Sequence, residues 1–175
     1  GDAQTFMLGR KRPDLDNDKM LVYAVLRAVE IVGEAASKVT TGTQAAVPER
    51  TVLITGANRG IGLEFVKQYE ALGWRVIATT REPAAAAELN AFAAGHENVR
   101  VEKLDLLDHP GIDMLAKKYA GQPIDVLINN AGLMQGPDKG QMVGTIDYAE
   151  FDRFYRTNAM GPLKVSEAFY PNVKA

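Results

Sequence analysis

The stretch 51–62, TVLITGANRGIG, constrains this chain more than any other part of it. A short, mostly β-branched run over 51–55 predicts a buried strand, and it passes directly into three closely spaced glycines. A helical pattern follows over 63–71 and stops at Gly73. Gly56 lets the chain turn sharply off the strand, and Gly60 lets the backbone approach a pyrophosphate with no Cβ in the way. Gly62 allows the helix to pack closely on the sheet. The helix N-terminus contributes unpaired N–H groups and partial positive charge. A glycine pattern alone is weak; strand, turn, helix and further strand in this order is the context the mechanism needs.

The alternation continues downstream. Strands are predicted over 75–79, 99–104 and 124–128, and helices over 82–94 and 109–119. Asp147 and Glu150 form a cap-like pair that opens a further helix, with Phe151, Phe154 and Tyr155 on one side as packing residues. Strands alternating with helices imply an α/β fold: a Rossmann-type parallel sheet, order 3-2-1-4, with right-handed crossovers. Residues 133–144, which include Gly136, Pro137 and Gly140, read as mostly loop.

Composition excludes whole classes of chemistry. Cysteine is absent, so disulfide frameworks, thiolate metal sites and thiol catalysis are excluded. With only two histidines, His96 and His109, a multi-histidine metal site is not expected, and both read as exposed surface residues. The 20 basic and 22 acidic residues leave a net charge of −2, with no field to draw the chain onto nucleic acid or anionic lipid. The longest apolar stretch, 20–36, is interrupted by Arg27, Glu30 and Glu34 and is no bilayer span. A cytoplasmic location is the expectation.

The spacing G-x-x-x-G-x-G at 56–62, together with Asp105 after the third strand and Asn129-Asn130-Ala131-Gly132 after the fourth, resembles the short-chain dehydrogenase/reductase family. Asn158, with Gly161-Pro162, extends the likeness over about residues 50–175, and among the branches it is most similar to small C-factor-type bacterial reductases. The resemblance implies that Gly56, Asn58, Arg59, Gly60, Ile61 and Gly62 hold the pyrophosphate and adenosine ribose of a dinucleotide. It implies that Asp105 and Leu106 contact the adenine, and that Asn130, Ala131 and Gly132 line the central cleft. Asn158 would support a water relay toward a catalytic lysine. The implied reaction is carbonyl/alcohol oxidoreduction by hydride transfer.

Charge bears on the cofactor. A site for NAD usually has an acid at the end of the second strand; here the strand ends Ala78-Thr79-Thr80-Arg81. Arg81 and Arg59 can flank a 2′-phosphate, so NADP(H) is expected, with NAD as second choice and Glu82 as the residue that argues the other way. The family's serine and Tyr-x-x-x-Lys pair are expected to be missing, because the sequence stops before a fifth strand. Tyr170 and Lys174 have the right spacing, and Thr157 lies thirteen residues upstream of Tyr170, but Pro171 is expected to disrupt the intervening turn. Dinucleotide binding without efficient turnover is therefore expected, the alternative being a non-enzymatic chimeric or truncated structural module.

Residues 1–48 read as a separate arm, helix and linker ahead of the dinucleotide-binding domain at 49–175. Apolar positions Leu21, Val25, Ala28, Val32, Ala35 and Val39 predict a helix over 19–39, and LRAVEIVGEAASKV is similar to a segment of the HepT-like HEPN toxin family. That likeness covers about residues 12–48, and no histidine lies within reach of Arg27, so ribonuclease activity is not implied. The broad apolar helix and an apolar edge at 124–128 lead us to expect a homo-oligomer with that helix in its interface.

Overall fold

A computed structural model describes residues 50–133, 144 and 146–174. The expectations for the helix over 19–39 and for the loop at 134–143 lie outside the described residues. The chain runs through β1 (Thr51–Ile54), α1 (Gly60–Ala71), β2 (Arg75–Thr80), a 3-10 turn (Pro83–Ala85) and α2 (Ala87–Ala93). It continues through β3 (Val99–Lys103), α3 (His109–Lys118) and β4 (Val126–Ile128). It then enters one long helical segment made of α4 (Tyr148–Tyr155), a π-helical turn (Arg156–Met160) and α5 (Gly161–Lys174).

The four strands are parallel, in the expected order β3-β2-β1-β4. Val52 pairs with Val76 on one side and Val126 on the other, and Val76 pairs with Val99. Successive strand residues point to opposite faces, which divides the interior into two cores. Val52, Ile54, Val76 and Ala78 meet Leu63 and Val66 of α1 and Leu89 of α2. Leu53 and Ile77 meet Ile112 and Leu115 of α3 and Val165 and Phe169 of α5. Helices on both faces are why the central strand β1 and its neighbour β4 read as apolar runs.

Several local expectations change. The predicted helix over 82–94 is broken: Pro83 opens a 3-10 turn, Ala86 leaves helical geometry, and the α-helix starts only at Ala87. Asn90 Nδ2 donates to Pro83 O at 2.7 Å and so fixes the turn to the helix behind it. His109 is half-buried, not exposed, and so is His96. The His96 ring stacks on Phe92 with centroids 4.0 Å apart, Nδ1 lies 2.7 Å from Phe92 O, and Nε2 lies 3.6 Å from Glu70. Asp147 caps α4 as expected, its Oδ1 accepting from Ala149 N and Glu150 N. The aromatics behind that cap are less covered than expected: Tyr148, Phe151 and Tyr155 are 77%, 61% and 56% exposed, because nothing among the described residues packs on that side of α4.

Pro171 does not end its helix; α5 continues to Lys174. A proline removes one N–H from the ladder, so the last turn needs another anchor. Phe169 is fully buried, and the buried Asn172 supplies the rest. Asn172 Nδ2 donates to Tyr119 O (2.7 Å) and Gln122 O (2.9 Å), while Asn172 O accepts from Ile124 N (3.1 Å). Beside this anchor Tyr119 donates to Glu102 at 2.7 Å; burial first, and then that hydrogen bond, push its phenol well above the ordinary range. Replacing Asn172 by Ala leaves the Tyr119 and Gln122 carbonyls without their donor, and is expected to lower unfolding free energy by about 1–3 kcal/mol. Urea denaturation measures this, and an unchanged midpoint would remove Asn172 as the anchor.

Candidate functional site

Four loops meet at the C-terminal edge of the sheet, and Thr55 ties two of them together. Thr55 is buried at the tip of β1, where its N–H donates to Ile128 O at 2.9 Å. Its hydroxyl accepts from Asn130 N and Ala131 N, both at 3.0 Å. Asn130 returns the contact, its Nδ2 donating to Thr55 O (3.0 Å) and Gly56 O (3.1 Å). The turn after β1 and the NNAG turn after β4 therefore form one hydrogen-bonded unit.

The glycines have distinct roles in it. Gly56 adopts φ +67°, and a Cβ there would sit 2.7 Å from Ala131 Cα. Gly60 adopts φ +56°, and nothing among the described residues lies within 4 Å of its would-be Cβ. Gly62 was expected to serve helix–sheet packing. Instead its Cβ would strike Gly56 O and come within 2.6 Å of Asn130 Nδ2, so the glycine preserves the turn itself. Asn58 is half-buried, whereas Arg59 and Ile61 are exposed, and Arg59 enters α1 with extended backbone. The first helical bond is Leu63 N to Arg59 O at 3.3 Å, so the amides of Gly60, Ile61 and Gly62 head the helix without intrahelical acceptors.

The other predicted positions ring this turn. Ala57 N donates to Thr79 O at 2.8 Å, which brings the tip of β2, and with it Arg81, beside the glycine loop. After β3, Asp105 Oδ1 accepts from Leu107 N at 3.0 Å and so fixes its carboxylate, and the buried Leu106 abuts Gly161, where a Cβ would lie 2.7 Å from Leu106 Cβ. Gly132 passes so close to Asn158 that a Cβ would be 3.3 Å from Asn158 Oδ1. Asn158 Oδ1 accepts from Leu133 N (2.7 Å) and its Nδ2 donates to Leu133 O (2.8 Å), as a neighbouring strand would. Its side-chain amide thus holds the segment leaving NNAG. Among the described residues, the buried hydroxyls of Thr79 and Thr157 have no hydrogen-bond partner.

Two residues that lie in the sequence motifs but were given no role there also position the site: Thr55, and Asn129, whose Nδ2 donates to Ser166 Oγ at 3.0 Å and ties β4 to α5. Tyr170 and Lys174 are not part of it. Asn158 faces the C-terminal edge, whereas Asn172 binds Ile124 ahead of β4, and the twelve residues from Asn158 to Tyr170 span roughly 18 Å of helix. Among the described residues no group of His, Asp or Glu is placed to hold a metal, and no helix is long and apolar enough to cross a membrane.

A parallel α/β sheet whose glycine turn heads a helix beside the topological switch point is the architecture of a dinucleotide-binding domain. The chain belongs to the short-chain dehydrogenase family, whose family model (short chain dehydrogenase) matches residues 50–175. An uncharacterized oxidoreductase of Schizosaccharomyces pombe is 37% identical over 124 residues, covering 69% of this chain and 48% of that protein. A carbonyl reductase from chicken fatty liver, solved with NADPH bound, is similar at TM-score 0.65 and 35% identity, over 73% of this chain and 53% of that one. A carbonyl reductase from Pseudomonas aeruginosa PAO1 is similar at TM-score 0.65 and 34% identity, over 71% and 56%. The chain spans about half the length of the curated relatives it matches.

Thr55→Val keeps the shape but removes the acceptor for two backbone N–H groups. A loss of about 1–3 kcal/mol in unfolding free energy is expected, with Thr55→Ser retaining most of the wild-type value. Equal stability of the valine variant and wild type in urea would show that the hydroxyl does not hold the two turns together.

Proposed function

We propose that residues 50–174 form the cofactor-binding half of an NADP(H)-dependent oxidoreductase acting on a carbonyl or alcohol. The observation that carries this reading is the locked turn: Thr55 and Asn130 hold the helix N-terminus beside Arg59 and the tip of β2. The amides of Gly60, Ile61 and Gly62 suit a pyrophosphate, and Arg59 and Arg81 suit a 2′-phosphate, which carries charge that Arg binds as a fork. Asn58 sits within the same turn. Asp105, already oriented by Leu107, is placed to accept from an adenine amine, with Leu106 behind it. Ala131 and Gly132 line the cleft, and Asn158 keeps that wall in position. When bound, the dinucleotide supplies or receives the hydride. The NADPH in the chicken carbonyl reductase supports the choice of NADP(H) over NAD.

Proton transfer at the substrate oxygen needs an acid–base group at this same edge. Among the described residues no tyrosine–lysine pair lies there, so we infer binding without efficient carbonyl reduction by these residues. A non-enzymatic, assembling role has two observations in its favour: Tyr148, Phe151, Tyr155 and Leu163 are exposed on the α4–α5 segment, and β4 is an edge strand among the described residues. Both features support a homo-oligomer.

Titration calorimetry tests the binding reading. NADPH is expected to saturate the protein more tightly than NADH, and Arg81→Gln to weaken NADPH about tenfold, one charge-assisted contact, with NADH unchanged. No saturable binding at millimolar NADPH would overturn it. Light scattering is expected to report a particle at a multiple of 19.0 kDa, and a dilution-insensitive 19.0 kDa particle would exclude the oligomer.

A further inference from the structure

The turn after β4 is tied at both ends to the long helical segment behind it. Leu133, where the turn leaves, is gripped by Asn158 at 2.7 and 2.8 Å. Asn129, where the turn begins, donates from Nδ2 to Ser166 Oγ at 3.0 Å. We propose that Ser166 is a positioning residue for the dinucleotide: acting through Asn129, its hydroxyl holds the wall at 131–133 against the nucleotide that lies beyond the pyrophosphate. The proposal rests on the dinucleotide reading given above.

Three observations carry it. The first is the polarity of the contact. Ser166 Oγ lies 2.8 Å from Pro162 O, and a carbonyl can only accept, so the single hydroxyl proton is committed there. The Ser166 oxygen then presents lone pairs alone, and the Asn129 side chain must meet it with Nδ2. The serine thereby fixes which way the Asn129 amide is turned. The second is the lack of a strand on that side. β4 pairs with β1, where Thr55 and Asn130 hold the turn, and among the described residues no strand lies along its other edge. The third is where the wall stands. With the order β3-β2-β1-β4, the adenosine half of a dinucleotide lies over β2 and β3, and the pyrophosphate lies over the turn after β1. The remaining nucleotide therefore extends over the turn after β4. Without the Ser166 hydroxyl this turn stays joined to β1, but its tie to the helical segment is reduced to the Asn158 grip on Leu133. A wall held to its support at one end tilts, and the loss falls on the nucleotide that the wall faces.

Ser166→Ala removes the hydroxyl and Ser166→Thr keeps it. Calorimetric titration of the full chain is expected to show NADPH binding roughly three- to tenfold more weakly in the alanine variant, the loss of one neutral hydrogen bond. Adenosine 2′,5′-bisphosphate, which lacks the nicotinamide nucleotide, is expected to bind within about twofold of wild type, and the threonine variant to stay within about twofold for both ligands. Asn129→Ala breaks the same contact from the other side, so it and the double variant are expected to match Ser166→Ala. It also carries the test if the alanine variant at 166 does not fold. Equal weakening of both ligands, or a lower urea midpoint with NADPH binding unchanged, would overturn the proposal by showing that the bond serves stability alone. Additive losses in the double variant, or a threonine variant as weak as the alanine one, would overturn the route through the hydroxyl and Asn129. In all of these outcomes wild type still binds NADPH; failure of wild type to bind either ligand would overturn the proposal together with the reading on which it rests.

Discussion

The Thr55 hydroxyl, accepting two N–H groups from the turn after β4, is the contact on which the functional edge depends. A strand tip at the open edge of a parallel sheet leaves backbone groups that the ladder no longer satisfies. Here one hydroxyl and one Asn130 amide satisfy them across two neighbouring strands. The consequence reaches the glycine turn, because Asn130 reads Gly56 O and leaves room only for a glycine at 62. It also reaches the far wall, since the chain leaving Gly132 is immediately gripped by Asn158. Rigidity at this edge comes from side chains that mimic backbone partners.

The two cores explain how that edge is held still. Each face of the sheet is sealed by two helices, and the buried apolar residues at 52–54 of β1 and 76–78 of β2 alternate between the two cores. Close packing of this kind resists small displacements, so the loops inherit a fixed frame. The tie from Asn129 to Ser166 and the Lys164–Asp113 ion pair at 2.6 Å fasten α5 to both β4 and α3. The helix that carries Asn158 is thereby braced along its length.

Most of the architecture was legible because its signals are local. Glycines at 56, 60 and 62, apolar runs of strand length and the Asp147 cap each dictate backbone geometry within a few residues. The role of Thr55 was not legible in this way. In sequence it is only the last member of a β-branched run, and its partners lie 75 and 76 positions away. The Asn158–Leu133 pairing was hidden for the same reason. Pro171 was misread because a sound local rule was outweighed by distant anchors, Phe169 in the core and Asn172 on the end of α3. At 82–94, alanine-rich composition concealed a turn that Pro83 and Asn90 build between them. His96 read as exposed because its shelter, Phe92 and Glu70, comes from two different helices.

The π-helical turn at Arg156–Met160 settles a conflict of phase within one helical segment. Tyr155 and Leu163 are both more than half exposed, yet they are eight residues apart, a spacing that would put them about 80° out of line on a regular α-helix. The wider turn absorbs about one residue, so the remaining seven bring the two side chains to within roughly 20° of each other. The same widening occurs where Thr157 and Gly161 must face inward and Asn158 must reach Leu133. One surplus residue thus lets a single helix serve two masters: an inner row matched to the sheet edge, and an outer apolar row that runs unbroken from α4 into α5.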